Sequence, residues 1–189
     1  MTEIAGMERI LGGAPEDAAP RLLGAHLVSW VDGREVRVRI DEVEAYKGDD
    51  DPASHAYQGE TQRNRSMFQR PGTLYVYRSY GIHNCANTAA GPQGVGWGIL
   101  IRGGEVIDGE GVAARRRGRR TELANGPGKL CQALGIGLEH NGTFLFDSAS
   151  VVRLEEGERP EVVMATPRIG ISRAKDRPWR FVSAARFSA

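Results

Sequence analysis

Hydrophobic and polar positions alternate with period two over several short stretches of the chain, and this alternation predicts antiparallel strands. Leu27 to Val31, the pair Asp32-Gly33, and Glu35 to Ile40 read as a β-hairpin. In it Val36, Val38 and Ile40 alternate with Arg37, Arg39 and Asp41, and Asp-Gly accepts the positive φ that a tight turn demands. The alternation then slips by one, with Val43 and Ala45 now apolar, which predicts a bulge near Asp41 or Glu42. Asp49 to Pro52 reads as a polar loop. After the turn signal Pro71-Gly72, Leu74 and Val76 interleave with Tyr75 and Tyr77 as a strand, and Gly81 marks the next tight turn. Val95, Trp97, Ile99 and Ile101 share one face of a further strand that ends at Arg102. Gly126-Pro127, then Leu130, Ala133 and Leu134, closed by Gly135, read as a short helix with proline in its first turn and glycine past its end. Strands are also expected at Thr143 to Phe146, Val151 to Leu154, Val162 to Ala165 and Arg180 to Val182. No repeat, low-complexity tract or linker divides the chain. The expected fold class is α+β: a single mixed domain over residues 1–189, with a curved, mainly antiparallel β-sheet and covering helices. Residues 1–18 are expected to form a flexible N-terminal segment.

Composition narrows the class. An apolar fraction of 40% and a charged fraction of 26% in 189 residues are those of a globular protein, neither disordered nor fibrous. Two cysteines, Cys85 and Cys131, are too few for a disulfide scaffold and favour a reducing compartment. No apolar run approaches the roughly 18 residues of a membrane span. Met1 to Gly13 carries two glutamates and no basic cluster, unlike a signal peptide. The expected location is cytoplasmic, with nucleoid association if the chain is bacterial, and the expected state is a monomer.

The formal net charge of +1 argues against a nucleic-acid partner only while the chain is taken whole. Residues 1–60 hold 6 basic and 13 acidic side chains, a net of −7, whereas residues 61–130 hold 11 and 4, a net of +7. The remainder holds 8 and 7. Of 25 basic residues only Lys47, Lys129 and Lys175 are lysine, and arginine's planar fork suits phosphate. The block Arg115, Arg116, Arg117, Arg119 and Arg120 fits a phosphate-binding strip and a solvated helix face equally well.

Among residues that could carry chemistry, Glu44 stands between Val43 and Ala45 at the end of a half-buried strand. A carboxylate among apolar neighbours has its charged form destabilised, which suits a general base, although an ordinary edge glutamate fits the same pattern. His55 lies alone in a loop. His55, His83 and Cys85 do not have a standard ligand spacing, and neither Cys-x-x-Cys nor His-Glu-x-x-His occurs, so no metal and no cofactor are expected. Four of the five tyrosines, Tyr46, Tyr75, Tyr77 and Tyr80, fall between residues 46 and 80. Interleaved with Arg78, they are material either for stacking on bases or for a core strand; Tyr80, beside the glycine turn, is placed to project.

Longer strings separate these alternatives. Glu42-Val43-Glu44-Ala45-Tyr46, His55, Arg63-Asn64-Arg65-Ser66-Met67-Phe68, Pro71-Gly72-Thr73-Leu74-Tyr75-Val76-Tyr77 and Tyr80-Gly81-Ile82-His83-Asn84-Cys85-Ala86-Asn87 come first. Leu100-Ile101-Arg102, the run Asn125 to Ile136, Arg168-Ile169-Gly170 and Arg177-Pro178-Trp179-Arg180 follow in order. Together, over roughly residues 20 to 183, the chain resembles the alkyladenine (3-methyladenine) DNA glycosylase family. The resemblance implies a monofunctional base-excision repair enzyme whose partner is double-stranded DNA containing damaged purines. Such an enzyme flips the base out of the duplex and hydrolyses its N-glycosidic bond, leaving an abasic site. By resemblance Glu44 is the general base, and Arg102 lies near the catalytic water and the flipped nucleotide's phosphate. Tyr46, His55, Tyr77 and Asn87 enclose the base, Asn87 opposing the exocyclic amine of guanine. Tyr80 intercalates, and Arg63, Arg65 and Arg78 are candidates for DNA backbone contact. The implied substrates are 3-methyladenine and other alkylpurines, extending to hypoxanthine and ethenoadenine. One departure is local: Gly103-Gly104 follow Arg102 where relatives carry helix-compatible residues. Two competing functions are a damage-binding protein that flips bases without cutting and a hydrolase of free nucleosides.

Overall fold

The structure is a computed structural model that describes residues 4–187. Among these described residues eight antiparallel strands form one open sheet: β1 (His26–Ser29), β2 (Val36–Lys47), β3 (Leu74–Ser79), β4 (His83–Ala90), β5 (Trp97–Asp108), β6 (Val152–Glu155), β7 (Val163–Thr166) and β8 (Arg180–Ser183). The main path runs β3-β4-β5-β2-β1-β6. Along one edge β2 pairs with β5 over most of its length; along the other it is shared, β1 taking residues 36–39 and β8 taking residues 42–44. β7 pairs with β8.

Every expected strand but one has its counterpart, with shifted ends. The hairpin forms, with Asp32 at φ 55° and Gly33 at φ 66°, but β1 stops at Ser29 and the connection is longer than two residues. β5 does not end at Arg102. It runs on through Gly103-Gly104 to Asp108, because a side chain on Gly104 would lie 2.3 Å from the Arg39 carbonyl oxygen and only glycine admits that approach of β2. Thr143 to Phe146 is not a strand. Its backbone is divided between partners, Thr143 accepting from Leu74 and Leu145 donating to Gly72, so one bridge to Thr73 is all that forms.

The helices are α1 (Ile4–Leu11), α2 (Pro15–Ala18), α3 (Glu110–Arg117) and α4 (Pro127–Leu134), and the last matches the expected span, with Gly135 beyond it at φ 71°. Leu11, Ala18, Ala113, Leu130 and Leu134 join Val43, Ala45, Leu74, Val76, Ile99 and Ile101 in one core. The helices therefore cover a single face of the sheet. Residues 1–3 of the expected flexible segment lie outside the described residues. The rest does not stand off the fold: Leu11 is fully buried and its carbonyl accepts from Gly91 at 2.7 Å, while Glu16 pairs with Lys47. Met7 and Leu11, four apart on one helical face, supply the apolar area that ties this segment down.

Candidate active site

The bulge in β2 decides which face carries the chemistry. Val36, Val38 and Ile40 point into the helix-covered core; the register shifts around Glu42 leave Asp41 unmatched, and the core set becomes Val43 and Ala45. Because successive side chains alternate faces, that one extra residue turns Glu42, Glu44 and Tyr46 to the uncovered face. Pairing then lines up Tyr75, Asn87, Leu100, Glu44 and Arg180 as one row across β3, β4, β5, β2 and β8.

Glu44 is completely buried and is held by donors from three segments. The Tyr46 hydroxyl donates to Oε2 at 2.7 Å, the Ile169 backbone N–H donates to Oε1 at 2.7 Å, and Arg102 Nη1 lies 3.3 Å from Oε1. The expected apolar surroundings of Glu44 are thus replaced by polar partners. A carboxylate offers about four acceptor positions, so roughly one remains open to a water.

Arg102 bridges the two glutamates of this face, with Nε on Glu42 at 2.8 Å. Glu42, nearly buried, also takes Arg180 Nε at 2.6 Å and Arg186 Nη2 at 3.0 Å. Burial acts to raise the Glu42 pKa, but Arg180, Arg102 and Arg186 outweigh it and hold the carboxyl below the ordinary glutamate value. Burial likewise opposes the charge on Arg102, and Glu44 and Glu42 more than restore it.

Above Glu44 opens a cleft of about 700 Å³ lined by Tyr46, His55, Tyr75, Tyr77, Asn87 and Arg102. Tyr75 and Tyr77 stack at 5.6 Å between ring centres, and His55 meets Tyr77 edge-on at 4.4 Å. His55 Nδ1 is 3.1 Å from the Tyr75 hydroxyl. His55 keeps an exposed edge at the cleft mouth, yet enclosure of its ring, with Arg63 nearby, lowers its pKa and favours the neutral imidazole. Burial pushes the Tyr75 hydroxyl up to about 12 and raises Tyr46 and Tyr77 further, so all three are donors at neutral pH. Asn87 is spoken for in part, its Nδ2 donating to the Tyr75 carbonyl at 3.1 Å. A larger groove of about 820 Å³ lies around Arg39, Asp41, Gly104 and Glu105, but it mixes acids and bases and holds no aromatic ring. No group of three or more His, Cys, Asp or Glu side chains among the described residues is arranged to hold a metal.

The β3–β4 turn stands at the cleft rim. Ile82 N–H donates to the Ser79 carbonyl at 3.0 Å, with Tyr80 at φ 49° and Gly81 at φ 71° as the two central residues. Tyr80 is 92% exposed in a left-handed conformation that costs a non-glycine residue roughly 1–2 kcal/mol. The charged side chains lining the cleft beside the histidine are Arg63, Arg78, Arg102 and Arg173, with no carboxylate among the described lining residues. Arg65 is exposed but does not line the cleft. Between Arg63 and Arg65, Asn64 turns inward and donates to the carbonyls of His55 and Gly59 at 2.9 and 3.1 Å, fixing the histidine loop. In the arginine block, Arg116 donates to the Ala133 and Val31 carbonyls and Arg117 to Gln132, so these two tie α3 to α4 and the first hairpin.

Sequence reasoning singled out Tyr46, His55, Tyr77, Asn87 and Arg102, which line one cleft with Tyr80 at its rim, and Glu44, which lies buried against Tyr46 and Arg102. It assigned no role to Glu42, Tyr75, Arg168, Ile169 or Arg173. Tyr75 was open to discovery through the alternation that places it on the face of Tyr77; a backbone donor such as Ile169 leaves no signal in side-chain chemistry.

The family profile described as methylpurine-DNA glycosylase (MPG) matches residues 10–186. The chain belongs to this family, and so to the DNA glycosylases of DNA repair, which hydrolyse N-glycosyl bonds. A Rhodococcus jostii protein is 50% identical over 183 residues, covering 93% of this chain and 80% of its own. Another, from Nocardia farcinica, is 50% identical over 177 residues, with 88% and 82% covered. A third, from Mycobacterium tuberculosis, is 48% identical over 174 residues, with 88% and 83% covered. The names of all three contain the words "3-methyladenine DNA glycosylase". Among the described residues no helix is long and apolar enough to cross a membrane.

Proposed function

We propose that the protein flips damaged purines, N3-methyladenine foremost, out of duplex DNA and cleaves the N-glycosidic bond with a water activated by Glu44. The observation that carries this reading is the Glu44 carboxylate: buried, oriented by three donors whose residues all line the tyrosine cleft, and with roughly one acceptor position left.

The chemistry required is modest. A purine alkylated at N3 or N7 is cationic and leaves as a neutral base when the C1′–N bond breaks and its electron pair passes to the ring. The water oxygen bonds to C1′, and Glu44 takes the proton released. Positioning that water and supplying the base are what one held glutamate does. Arg102, 3.3 Å from Glu44 Oε1, lies beside the water position and faces the phosphate of the flipped nucleotide. Tyr46 and Tyr77 stack on the base, and electron-rich rings favour a cationic purine by roughly 0.5–2 kcal/mol. The neutral form of His55 places no charge against that cation. Asn87 opposes the exocyclic amine of guanine.

Flipping costs a few kcal/mol and is cheapest for a damaged or mispaired base. Tyr80 fills the vacated stack as a wedge, which explains its exposure and its strained φ. Arg63 and Arg78 follow the backbone of the flipped strand. No lysine lines the cleft among the described residues, which supports simple hydrolysis over a Schiff-base route. Hypoxanthine and ethenoadenine are neutral, so they leave by the same water attack only if the departing ring takes up a proton as the bond breaks, at lower intrinsic reactivity.

The test is direct. The protein is incubated with a duplex carrying a single N3-methyladenine or hypoxanthine, and alkali-labile abasic sites are measured. Sites should accumulate at the lesion alone. Tight lesion binding without such sites would favour a damage-binding protein, and turnover of free nucleosides in preference to duplex would leave the exposed Tyr80 without a purpose.

A further inference from the structure

We propose that the buried Asp51–Arg168 ion pair is the positioning device of this site, holding Glu44, Tyr46 and the His55 loop in one arrangement. The inference rests on the reading of Glu44 as the base. Both side chains are wholly buried, and their two parallel bonds measure 2.5 and 2.8 Å. They lie 117 positions apart, outside every strand and helix.

What the pair touches argues for the role. Arg168 Nη1 also donates to the carbonyl of Ala45, the residue between Glu44 and Tyr46, at 2.9 Å. Its guanidinium lies 4.7 Å from the centre of the Tyr46 ring and 5.3 Å from that of Trp179, a cation held against two aromatic faces. The next backbone N–H, that of Ile169, is the one that donates to Glu44. Asp51 in turn accepts from the backbone N–H groups of Lys47 and Ala53, closing the loop that leads from Tyr46 to His55. One planar guanidinium thus sets the end of β2, the histidine loop and the donor on Glu44 relative to one another.

Stability does not account for the pair. Taking two charges out of water costs several kcal/mol per ion, and apolar residues of equal volume often fill such a site without loss. A fork with two fixed bonds supplies orientation instead, which a lysine at the same position could not.

The test uses the full chain and a duplex with one hypoxanthine under single-turnover conditions, well below each variant's melting midpoint. Arg168→Lys, Arg168→Met and Asp51→Asn are compared with wild type and Glu44→Gln for maximal excision rate and for the enzyme concentration at half-saturation. Misplacing a reacting group by about 1 Å costs about 100-fold, so all three variants should lose about 10- to 100-fold in maximal rate with half-saturation almost unmoved. Arg168→Lys should not rescue, although it keeps the charge. If the arginine variants fail to fold, Asp51→Asn, which keeps the side-chain shape, decides alone. Variants that fold and excise within twofold of wild type, or that lose only affinity, would overturn the positioning role. A wild type that does not excise would overturn the parent reading and the inference with it; an active wild type beside fully active variants overturns the inference alone.

Discussion

The Tyr46 hydroxyl donates to Glu44 Oε2 at 2.7 Å from two residues further along the same face of β2. The same tyrosine therefore offers its ring to the cleft and its hydroxyl to the carboxylate beneath. Tyr46→Phe separates the two. It keeps the stacking surface and removes a hydrogen bond to a charged group, a contribution of roughly 1.5–3 kcal/mol. The excision rate should fall by roughly one order of magnitude, one such order being about 1.4 kcal/mol, with lesion affinity held. A single-turnover titration checks this, and a loss confined to affinity would contradict it.

Tyr80 couples a strained backbone to an exposed ring. Glycine relieves the positive φ but gives back conformational entropy in the unfolded chain, so Tyr80→Gly should raise unfolding stability by about 0.5–1 kcal/mol. The same variant should lose excision from a fully paired duplex about tenfold or more, the scale of a lost stacking contact. Urea melts and duplex excision, measured together, should move in opposite directions. Equal activity would remove the wedge.

Glu42 serves three arginines at once. Removing one member of a buried ion cluster leaves uncompensated charge, and Glu42→Ala should destabilise the fold by about 3–5 kcal/mol in chemical denaturation at neutral pH. The pH dependence has a definite sign. Burial opposes the lowered pKa, and the arginines enforce it, so the stabilisation from Glu42 is fully present above the ordinary glutamate value of about 4.3. It is lost as pH falls through the lower folded value. Acid titration of stability should show that limb in the wild type and a shallower one in the variant.

Asp41 is the residue that changes the sheet's parity. Deleting it restores simple alternation with Val43 and Ala45 still in the core and Glu44 still facing the cleft, but it steps β2 one residue out of register with β5, where Arg102 is the unmatched residue opposite. The deletion should lower excision by displacing Glu44 relative to Arg102, while the near-ultraviolet circular dichroism signature of fixed core packing persists. Asp41→Ala keeps the bulge and loses only one of the partners of Arg186, which still holds Glu42, so it should still excise.

The slip from Ile40 to Val43 was visible in the chain because one strand of alternating residues carries its own register. From it the face of Glu44 and Tyr46 follows, as the face of Tyr75 and Tyr77 does from Leu74 and Val76. The resemblance then supplied roles for residues that periodicity places but does not explain. What the chain did not disclose is what depends on distant pairing. Asp51 read as one more acid in a polar loop, and only its partner at Arg168 makes it a fully buried ion. Gly103-Gly104 read as a break after Arg102; the close passage of Arg39, which turns them into strand, belongs to β2. Arg116 read as part of a solvent-facing block, while the backbone carbonyls it caps come from the first hairpin and α4.

The central claim is that Glu44 is the base. Single-turnover excision from a duplex with one hypoxanthine, wild type against Glu44→Gln, tests it most directly. The variant keeps the shape and the burial, so lesion binding should remain while abasic-site formation falls by about two to four orders of magnitude, the range of general base catalysis. Abasic sites forming at the wild-type rate in the Glu44→Gln protein would contradict the account.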